Sequence, residues 1–335
     1  MPELDTVEQA GAVPEIARIP GTEECSVTLD GVRWRYLHAG SGPPLLLIHG
    51  FMAYSFSWRF NMEALSRHFS IYAIDLPGCG FSQRTDAAHC SLASDAEGVL
   101  RFMNHFGMEQ ANVLGTSRGG GLAIVLAAMA AQRSMSHRIR RLMLVCAINP
   151  WSGYGRLLTR LLSTAMGGFF VTHVLPRQHW MMLRYFRKLY GDPSRIAPGS
   201  IEGYTAGLEV PGSFEHILRI VRSWHCDVAL IEESLPAISE LPTLLLWGSR
   251  DTAVYPSSAY AVQRRLQNSA LVMLDGVGHV PYEEVPDEFN RVICDFLLRD
   301  TPRTPLETAA ELPASSQPSS FSGSPGGFIQ SQRRA

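Results

Sequence analysis

The sequence predicts an α/β protein with a mostly parallel central sheet, flanking helices and an inserted helical cap. Apolar strand candidates alternate with helix candidates, the order expected of a parallel sheet covered on both faces. Between Asn149 and Leu241 this alternation stops, and helix-like pieces rich in Trp, Tyr, Phe, Met and Arg replace it. A Gly-x-Ser-x-Gly pattern at residues 115–119 stands between a strand candidate and a long helix candidate. The three observations together predict one sheet with an insertion above it.

The predicted elements follow from apolar periodicity and turn residues. Two short alternating runs around Asp30-Gly31, within residues 25–39, predict a tight hairpin. Further strands are predicted at residues 45–48, 71–74, 113–116, 141–147, 243–247 and 271–274. Helical spacing predicts helices at residues 92–106, 122–131 and 287–298. Each strand ends in a loop, where an open parallel sheet places its chemistry.

These elements give a predicted domain organisation. The core comprises residues 25–148 and 242–300, and the helical cap is residues 149–241. Residues 1–24 are expected to be an N-terminal extension, and the Pro-, Ser-, Ala- and Gly-rich residues 301–335 a disordered tail. The acidic N-terminus lacks the basic start and apolar segment of a secretory signal, which predicts a cytoplasmic location.

Composition excludes several classes of function. Hydrophobic residues make up 46% and charged residues 18%, as in globular proteins. The formal net charge is −2, so no general attraction to nucleic acid is expected. The 6 cysteines are widely separated and form no C-x-x-C pair, so no metal site is predicted. No cofactor is predicted either, and the oligomeric state is left open.

The Gly115-x-Ser117-x-Gly119 pattern is typical of a nucleophile elbow, a cramped turn between a strand and a helix. A side chain at either glycine is expected to collide with a neighbouring strand or helix. Ser117 could instead be a plain helix N-cap, but the flanking glycines favour the elbow.

A serine nucleophile needs a base to take its proton and a carboxylate to orient that base. Asp251 and His279 both follow predicted strands, so we expect them at the same edge of the sheet as Ser117. Asp75 is the main competing carboxylate and His49 the competing base.

From about Val27 to Leu298 the chain resembles the α/β-hydrolase fold superfamily, in its capped, esterase- and lipase-like serine hydrolase branch. The resemblance rests on the chain order Ser, Asp, His and on five motifs. They are His49-Gly50-Phe51, Asp75-Leu76-Pro77-Gly78-Cys79-Gly80-Phe81-Ser82, the elbow, Gly248-x-x-Asp251 and Gly278-His279-x-Pro281-x-x-Glu284-x-Pro286.

The resemblance implies roles for five of these residues. It makes Ser117 the nucleophile, His279 the general acid and base, and Asp251 the orienting carboxylate. It assigns the oxyanion hole to the backbone N–H groups of Phe51 and Arg118.

The same resemblance bears on the competing residues. It places Asp75 in a structural loop and His49 beside the oxyanion loop, which favours Asp251 and His279 for the catalytic roles. The Arg118 side chain is expected either to pair with the cap or to meet an anionic substrate.

The predicted function is hydrolysis of a small carboxylic ester with an apolar portion, through an acyl-enzyme. The aromatic cap predicts an apolar pocket, with Trp151 and Trp224 as candidate substrate contacts. Ser117 stands where epoxide hydrolases and haloalkane dehalogenases of this fold carry a carboxylate, which argues against those activities. A carbon–carbon bond hydrolase, an acyltransferase or perhydrolase, and a non-catalytic binding protein remain alternatives. Val280, where carbon–carbon hydrolases commonly carry an aromatic residue, disfavours the first of these.

One stretch of the cap raises the question of membrane contact. Residues 157–175 are long and apolar, but Arg160, Gly167, Gly168 and His173 interrupt them. We expect this stretch to cover an active site, and contact with a membrane surface is the less favoured alternative.

Overall fold

The structure is a computed structural model that describes residues 13–84, 90–153 and 156–299. The predicted tail at residues 301–335 and the first twelve residues of the N-terminal extension lie outside the described residues.

The core of the protein is an eight-stranded sheet in the order β1-β2-β4-β3-β5-β6-β7-β8. The strands are β1 (Glu23–Leu29), β2 (Val32–Ala39), β3 (Pro44–Ile48), β4 (Ser70–Ile74), β5 (Ala111–Thr116), β6 (Ile139–Val145), β7 (Thr243–Gly248) and β8 (Ser269–Leu274). Strand β2 runs antiparallel to both β1 and β4, and every other neighbouring pair is parallel. The predicted fold class is therefore confirmed.

The predicted hairpin joins β1 to β2. Asp30 and Gly31 have φ angles of 50° and 77°, and Leu29 pairs directly with Val32. Two successive residues with positive φ form the turn whose twist matches that of the flanking strands.

The described chain contains eleven α-helices. They are α1 (Met62–Ser66), α2 (Leu92–His105), α3 (Arg118–Gln132), α4 (Arg156–Leu162), α5 (Ala165–Phe169), α6 (His179–Leu189), α7 (Ser200–Leu208), α8 (Ser213–Ser234), α9 (Ser257–Gln263), α10 (Pro281–Glu284) and α11 (Pro286–Leu298). Short 3-10 helices occur at Glu15–Ala17, Ser55–Trp58, Ser136–Arg138, Leu175–Arg177, Pro193–Arg195 and Leu235–Ile238, and a π-helical turn at Phe170–Val174. Helix α3 packs on β5 and β6, and its apolar side chains are buried.

Between β6 and β7 the described residues form only helices, α4 to α8 and short turns. The 22-residue helix α8 packs against α3 of the core, and α4 packs against α8. The inward side chains of the cap form an apolar cluster with aromatic residues of the core, including Tyr54 and Phe56. This cluster lies over the edge of the sheet at which the strands end.

Candidate active site

Ser117 occupies the sharp turn between β5 and α3. Its φ and ψ are 53° and −119°, a conformation that non-glycine residues rarely adopt. The Ser117 N–H donates to the Val145 carbonyl oxygen over 2.9 Å, which fixes the turn to the end of β6. Such strain persists only where the surrounding structure holds it, and it occurs often at functional sites.

The two glycines of the pattern allow backbone segments to approach closely. A Cβ atom on Gly115 would lie 2.2 Å from the Gly119 carbonyl oxygen. One on Gly119 would lie 2.4 Å from the His49 carbonyl oxygen. The collisions expected from the sequence are therefore present at both positions, and the elbow requires glycine there.

Asp251 and His279 lie together at the ends of neighbouring strands. Asp251 follows β7, His279 follows β8, and His279 Nδ1 lies 2.8 Å from Asp251 Oδ2. The other carboxylate oxygen of Asp251 accepts from the N–H groups of Ala253 and Val254, at 2.8 and 2.9 Å. Both side chains are buried, so the carboxylate holds the imidazole in one orientation with Nε2 as its remaining nitrogen.

Cys146 completes this buried group, although no sequence motif pointed to it. Its Sγ atom and the ligand atoms of Asp251 and His279 all lie within 4.8 Å of one another. In the described chain, this is the one group of three such side chains close enough to hold a metal ion. Burial, followed by the charge of Asp251, raises the pKa of Cys146 well above its usual value. The thiol is therefore protonated, and a bound metal would have to displace both its proton and the His279–Asp251 hydrogen bond.

The two amides proposed for an oxyanion hole lie on either side of Ser117. Gly50 is in van der Waals range of the serine, because a Cβ on Gly50 would lie 3.1 Å from Ser117 Cβ. Phe51 follows Gly50, and Arg118 is the first residue of α3. Within the described chain neither N–H group has a hydrogen-bond acceptor, so both can serve an added oxygen atom.

Two cavities meet at Ser117. The larger has a volume of about 190 Å³ and the smaller about 30 Å³, and Phe51, Ser117, Tyr185 and His279 line both. Apolar side chains dominate the larger cavity: Ile148, Leu158, Leu162, Val221, Trp224, Val228 and Val254. The site can therefore hold an apolar group beside the serine.

The structure separates the two tryptophans that the sequence proposed as substrate contacts. Trp224 of α8 lines the larger cavity, and its ring meets Phe51 edge to face at 5.6 Å between centroids. The Trp151 ring lies 3.8 Å from the Arg265 guanidinium carbon and is absent from the lining of both cavities. Only Trp224 is brought to the serine.

The Arg118 side chain pairs with the cap, one of the two options that the sequence left open. Its Nη2 lies 2.9 Å from Asp95 Oδ2 in α2 and 3.9 Å from Asp227 Oδ2 in α8. It also donates to the Cys90 carbonyl oxygen over 2.9 Å. All three charged groups are buried, and Arg118 lines neither cavity. The guanidinium therefore ties core to cap and does not contact the cavities.

The competing residues His49 and Asp75 have structural partners. His49 Nε2 accepts from the Leu76 N–H over 3.1 Å, and Nδ1 lies 2.8 Å from the Gly50 carbonyl oxygen. Burial lowers the pKa of His49, so its ring is neutral and donates from Nδ1.

The Asp75 carboxylate is engaged in the same way. It accepts from Arg35 Nη1 at 3.1 Å and from the N–H groups of Ser55 and Phe81 at 2.8 and 2.9 Å. Asp75 and His49 are therefore both engaged with structural partners, and neither has a hydrogen bond to Ser117 among the described contacts.

A buried glutamate holds the His279 loop against the cap. The Glu284 carboxylate accepts from the N–H groups of Gly278, Gly191 and Asp192 over 2.8, 3.0 and 2.9 Å. The His279 N–H donates to the Leu189 carbonyl oxygen over 2.6 Å. Glu284 belongs to a motif that the sequence singled out, but two of its partners, Gly191 and Asp192, lie 93 and 92 residues away and no local pattern reveals them.

Comparison with known proteins agrees with this architecture. A family model described as alpha/beta hydrolase fold matches residues 43–191, from β3 to the end of α6. The chain has the α/β-hydrolase fold.

This α/β-hydrolase is similar to curated proteins that are named as hydrolases. It is 28% identical over 281 residues to an uncharacterized hydrolase, YugF, of Bacillus subtilis, covering 81% of this chain and 96% of the relative. It is 26% identical to a pimeloyl-[acyl-carrier protein] methyl ester esterase of Nitrosospira multiformis, covering 77% and 95%.

Solved structures give the same picture. A bacterial membrane phospholipase A superposes with a TM-score of 0.71 at 27% identity, covering 84% of this chain and 86% of the other. The meta-cleavage product hydrolase CumD of Pseudomonas fluorescens superposes with a TM-score of 0.67 at 25% identity, covering 82% and 97%. The hydrolase fold is thus common to relatives with different substrates.

Proposed function

We propose that this α/β-hydrolase is a serine hydrolase that cleaves a carboxylic ester with an apolar portion. One observation carries the proposal: Ser117 and His279 line the same apolar cavity, and the Asp251 carboxylate is hydrogen-bonded to Nδ1 of His279. This is the arrangement that nucleophilic acyl transfer requires.

In the proposed first half-reaction, His279 Nε2 takes the proton of Ser117 Oγ as that oxygen attacks the ester carbonyl carbon. The tetrahedral oxyanion accepts from the N–H groups of Phe51 and Arg118. When the intermediate collapses, the carbon–oxygen bond to the alcohol breaks and His279 returns the proton to the leaving oxygen. The acyl group remains on Ser117.

In the second half-reaction water replaces the alcohol. His279 takes a proton from the water as its oxygen attacks the acyl carbon, and then returns that proton to Ser117 Oγ. The carboxylic acid leaves and the enzyme is restored. Asp251 stays ionised throughout and stabilises the imidazolium formed in each step.

The described side chains of Ser117 and His279 form no hydrogen bond with each other. The proposed mechanism therefore includes a small rotation of one of these side chains, which brings Ser117 Oγ within reach of His279 Nε2.

The chemistry of the cavities supports an apolar ester. The larger cavity presents aliphatic and aromatic side chains, and Phe186 and Tyr204 add aromatic rings to the lining of the smaller one. One cavity can hold the acyl chain and the other the alcohol. The likeness to a methyl ester esterase and to a phospholipase A supports the same substrate class.

Carbon–carbon bond hydrolysis is the second candidate, because the chain is similar to a meta-cleavage product hydrolase over most of its length. The same three residues would serve that reaction. Val280 lines the smaller cavity where this class commonly carries an aromatic residue, so we place ester hydrolysis first.

The proposal is tested with a fluorophosphonate probe, which reacts only with an activated serine. We expect labelling of the wild-type protein, its loss in Ser117→Ala, and full labelling of the control Ser66→Ala. A screen of p-nitrophenyl esters of increasing chain length, beside a vinylogous diketone, then separates the two candidate reactions. A folded wild-type protein that takes up no probe would favour a non-catalytic binding protein.

A further inference from the structure

The cap exposes an unusual share of apolar side chains. Twelve large apolar side chains are exposed in the described chain, and seven of them lie within residues 157–183. We call this set the exposed cap surface: Leu157, Leu158, Leu161, Met166, Phe169, Trp180 and Leu183. Leu157 is 71% exposed and Met166 is 84% exposed, so these side chains stand almost free in solvent. Grouped exposure of this kind is a sign of an interaction surface.

Five of these side chains lie on α4 and α5, which pack against each other. A Cβ atom on Gly167 would lie 2.2 Å from the Leu161 carbonyl oxygen, so α4 and α5 are in direct contact. Met166 and Phe169 are three residues apart on α5 and therefore share one face.

Helix α6 buries apolar side chains on its inner face, as surface helices do, but it also exposes apolar side chains on its outer face. Met182 and Phe186 are buried in the cap cluster, yet Trp180 and Leu183 point outward beside Arg184. The outer face therefore combines apolar and cationic side chains instead of polar ones alone.

The charge of this region is one-sided. The sequence from Gly153 to Gly191 contains six Lys or Arg residues and no Asp or Glu, although the whole chain carries −2. Five of these side chains are exposed in the described part of the structure: Arg160, Arg177, Arg184, Arg187 and Lys188. An apolar face edged by arginine and lysine is complementary to the surface of an anionic bilayer.

The exposed cap surface also lies next to the candidate active site. Helix α4 carries Leu157 and Leu161 outward, while its Thr159 and Leu162 line the larger cavity beside Ser117. Leu158 is 54% exposed and also lines that cavity, so it lies at the boundary between the two faces. One helix thus separates the outside of the cap from the nucleophile. The sequence favoured residues 157–175 as a cover for the site, but only part of this stretch faces inward.

We infer that the exposed cap surface binds the surface of an anionic phospholipid bilayer. Apolar side chains enter the interface between headgroups and acyl chains, and the arginines and Lys188 contact lipid phosphates. None of the described helices is both long and apolar enough to cross a bilayer, so this contact is peripheral. The further step, in which a lipid ester passes α4 to reach Ser117, rests on the proposed function. The binding of the cap to the bilayer does not.

The test uses the full chain with Ser117→Ala, which keeps the lipid intact, and vesicles of phosphatidylcholine with or without phosphatidylglycerol. We expect sedimentation with the phosphatidylglycerol vesicles and little with phosphatidylcholine alone. The variant Leu157→Ser/Met166→Ser lowers the partition coefficient at least ~10-fold, since it removes two inserted side chains. The control Tyr260→Ser/Leu298→Ser changes exposed apolar residues outside the cap and leaves binding unchanged.

A second pair of variants tests the charges. Arg184→Gln/Arg187→Gln lowers partitioning ~5-fold for each arginine removed and weakens its dependence on salt. Arg140→Gln/Arg264→Gln, at exposed sites outside the cap, has no such effect.

The inference is overturned if the chain does not sediment with phosphatidylglycerol vesicles, which is the result expected of a cap that binds an acidic soluble protein instead. It is also overturned if the cap variants and the control variants bind these vesicles equally well. Probe labelling of the wild-type protein without vesicles is measured in parallel. Loss of labelling with intact vesicle binding would reject the proposed function alone, and the reverse would reject the docking surface alone.

Discussion

His279 Nδ1 lies 2.8 Å from Asp251 Oδ2, and the other oxygen of that carboxylate is held by two backbone N–H groups. A hydrogen-bonded carboxylate of this kind fixes both the tautomer and the direction of the imidazole. We therefore expect Asp251→Asn to lower kcat for an ester substrate by about 10⁴-fold while the protein stays folded. Steady-state kinetics with circular dichroism checks this.

The matched control for that prediction is Asp75→Asn. Asp75 is paired with Arg35 in a buried structural loop, so its loss lowers stability while the folded fraction keeps its turnover. Near-wild-type turnover of Asp251→Asn would remove Asp251 from the proposed mechanism.

Glu284 predicts a link between the cap and catalysis. Its carboxylate accepts from three backbone N–H groups, one of them beside His279. Glu284→Gln keeps the shape but replaces charged acceptors by a neutral amide, so we expect a loss of ~2 kcal/mol in the free energy of unfolding and a lower kcat. Urea denaturation and kinetics measure both, with the exposed Glu288→Gln as control. Equal stability and equal kcat in the two variants would contradict the role of Glu284 in holding the His279 loop against the cap.

We expect the loss of the Arg118 guanidinium to lower the free energy of unfolding strongly, although Arg118 is next to the nucleophile. Without its guanidinium, Asp95 and Asp227 are buried carboxylates with no cation between them. Arg118→Met should therefore cost ~3–5 kcal/mol in unfolding free energy, and adding Asp227→Asn should restore part of it. Arg140→Met, at an exposed site, should be neutral. Absence of any rescue in the double variant would argue against the ion pair.

His216 predicts an acid-sensitive contact between cap and core. Its imidazole lies between the Cys79 and Cys90 thiols, at 3.5 and 3.3 Å, and burial followed by nearby arginines lowers its pKa to about 3. Since the unfolded pKa is about 6.5, the unfolded state binds one more proton between pH 6.5 and 3. The free energy of unfolding therefore falls on acidification, by ~1.4 kcal/mol per pH unit from this group below pH 6.5.

Urea denaturation between pH 7 and pH 4.5 measures that slope. His216→Gln, which has no titrating ring, should show a shallower decline than the wild-type protein. Parallel declines would assign the acid sensitivity to other groups, such as His49.

Trp224 predicts control of chain-length preference. It lines the larger cavity and packs on Phe51, so Trp224→Ala enlarges the space beside Ser117. We expect the ratio of kcat/KM for a long p-nitrophenyl ester over a short one to rise about tenfold. Trp151→Ala removes an indole that faces Arg265 instead, and should leave the ratio unchanged. Identical ratios in the two variants would place the substrate elsewhere.

The exposed side chains of the cap show why outward and inward faces could not be predicted from composition. The apolar content of residues 149–241 indicated a pocket, and Trp224 and Leu158 do line one. The same composition holds Leu157 and Met166, which face solvent. Side-chain direction depends on how short helices pack on α8 and α3, and that packing has no local signature.

The chain order of the eight strands, the hairpin at Asp30-Gly31 and the turn at Ser117 could be predicted from the sequence. These follow from local physics, because strand periodicity, positive φ and steric exclusion at Gly115 are readable within a few residues. Asp251 and His279 could be identified as candidate partners of Ser117 because their loops follow recognisable strands.

Which side chains meet could not be predicted without the packed fold. The partners of Arg118, the place of Cys146 beside Asp251, and the hold of Glu284 on the cap join residues far apart in the chain. Each is a buried polar contact, whose free energy depends on desolvation and on distances that only the packed core fixes. The spacing of residues along a chain carries no measure of either quantity.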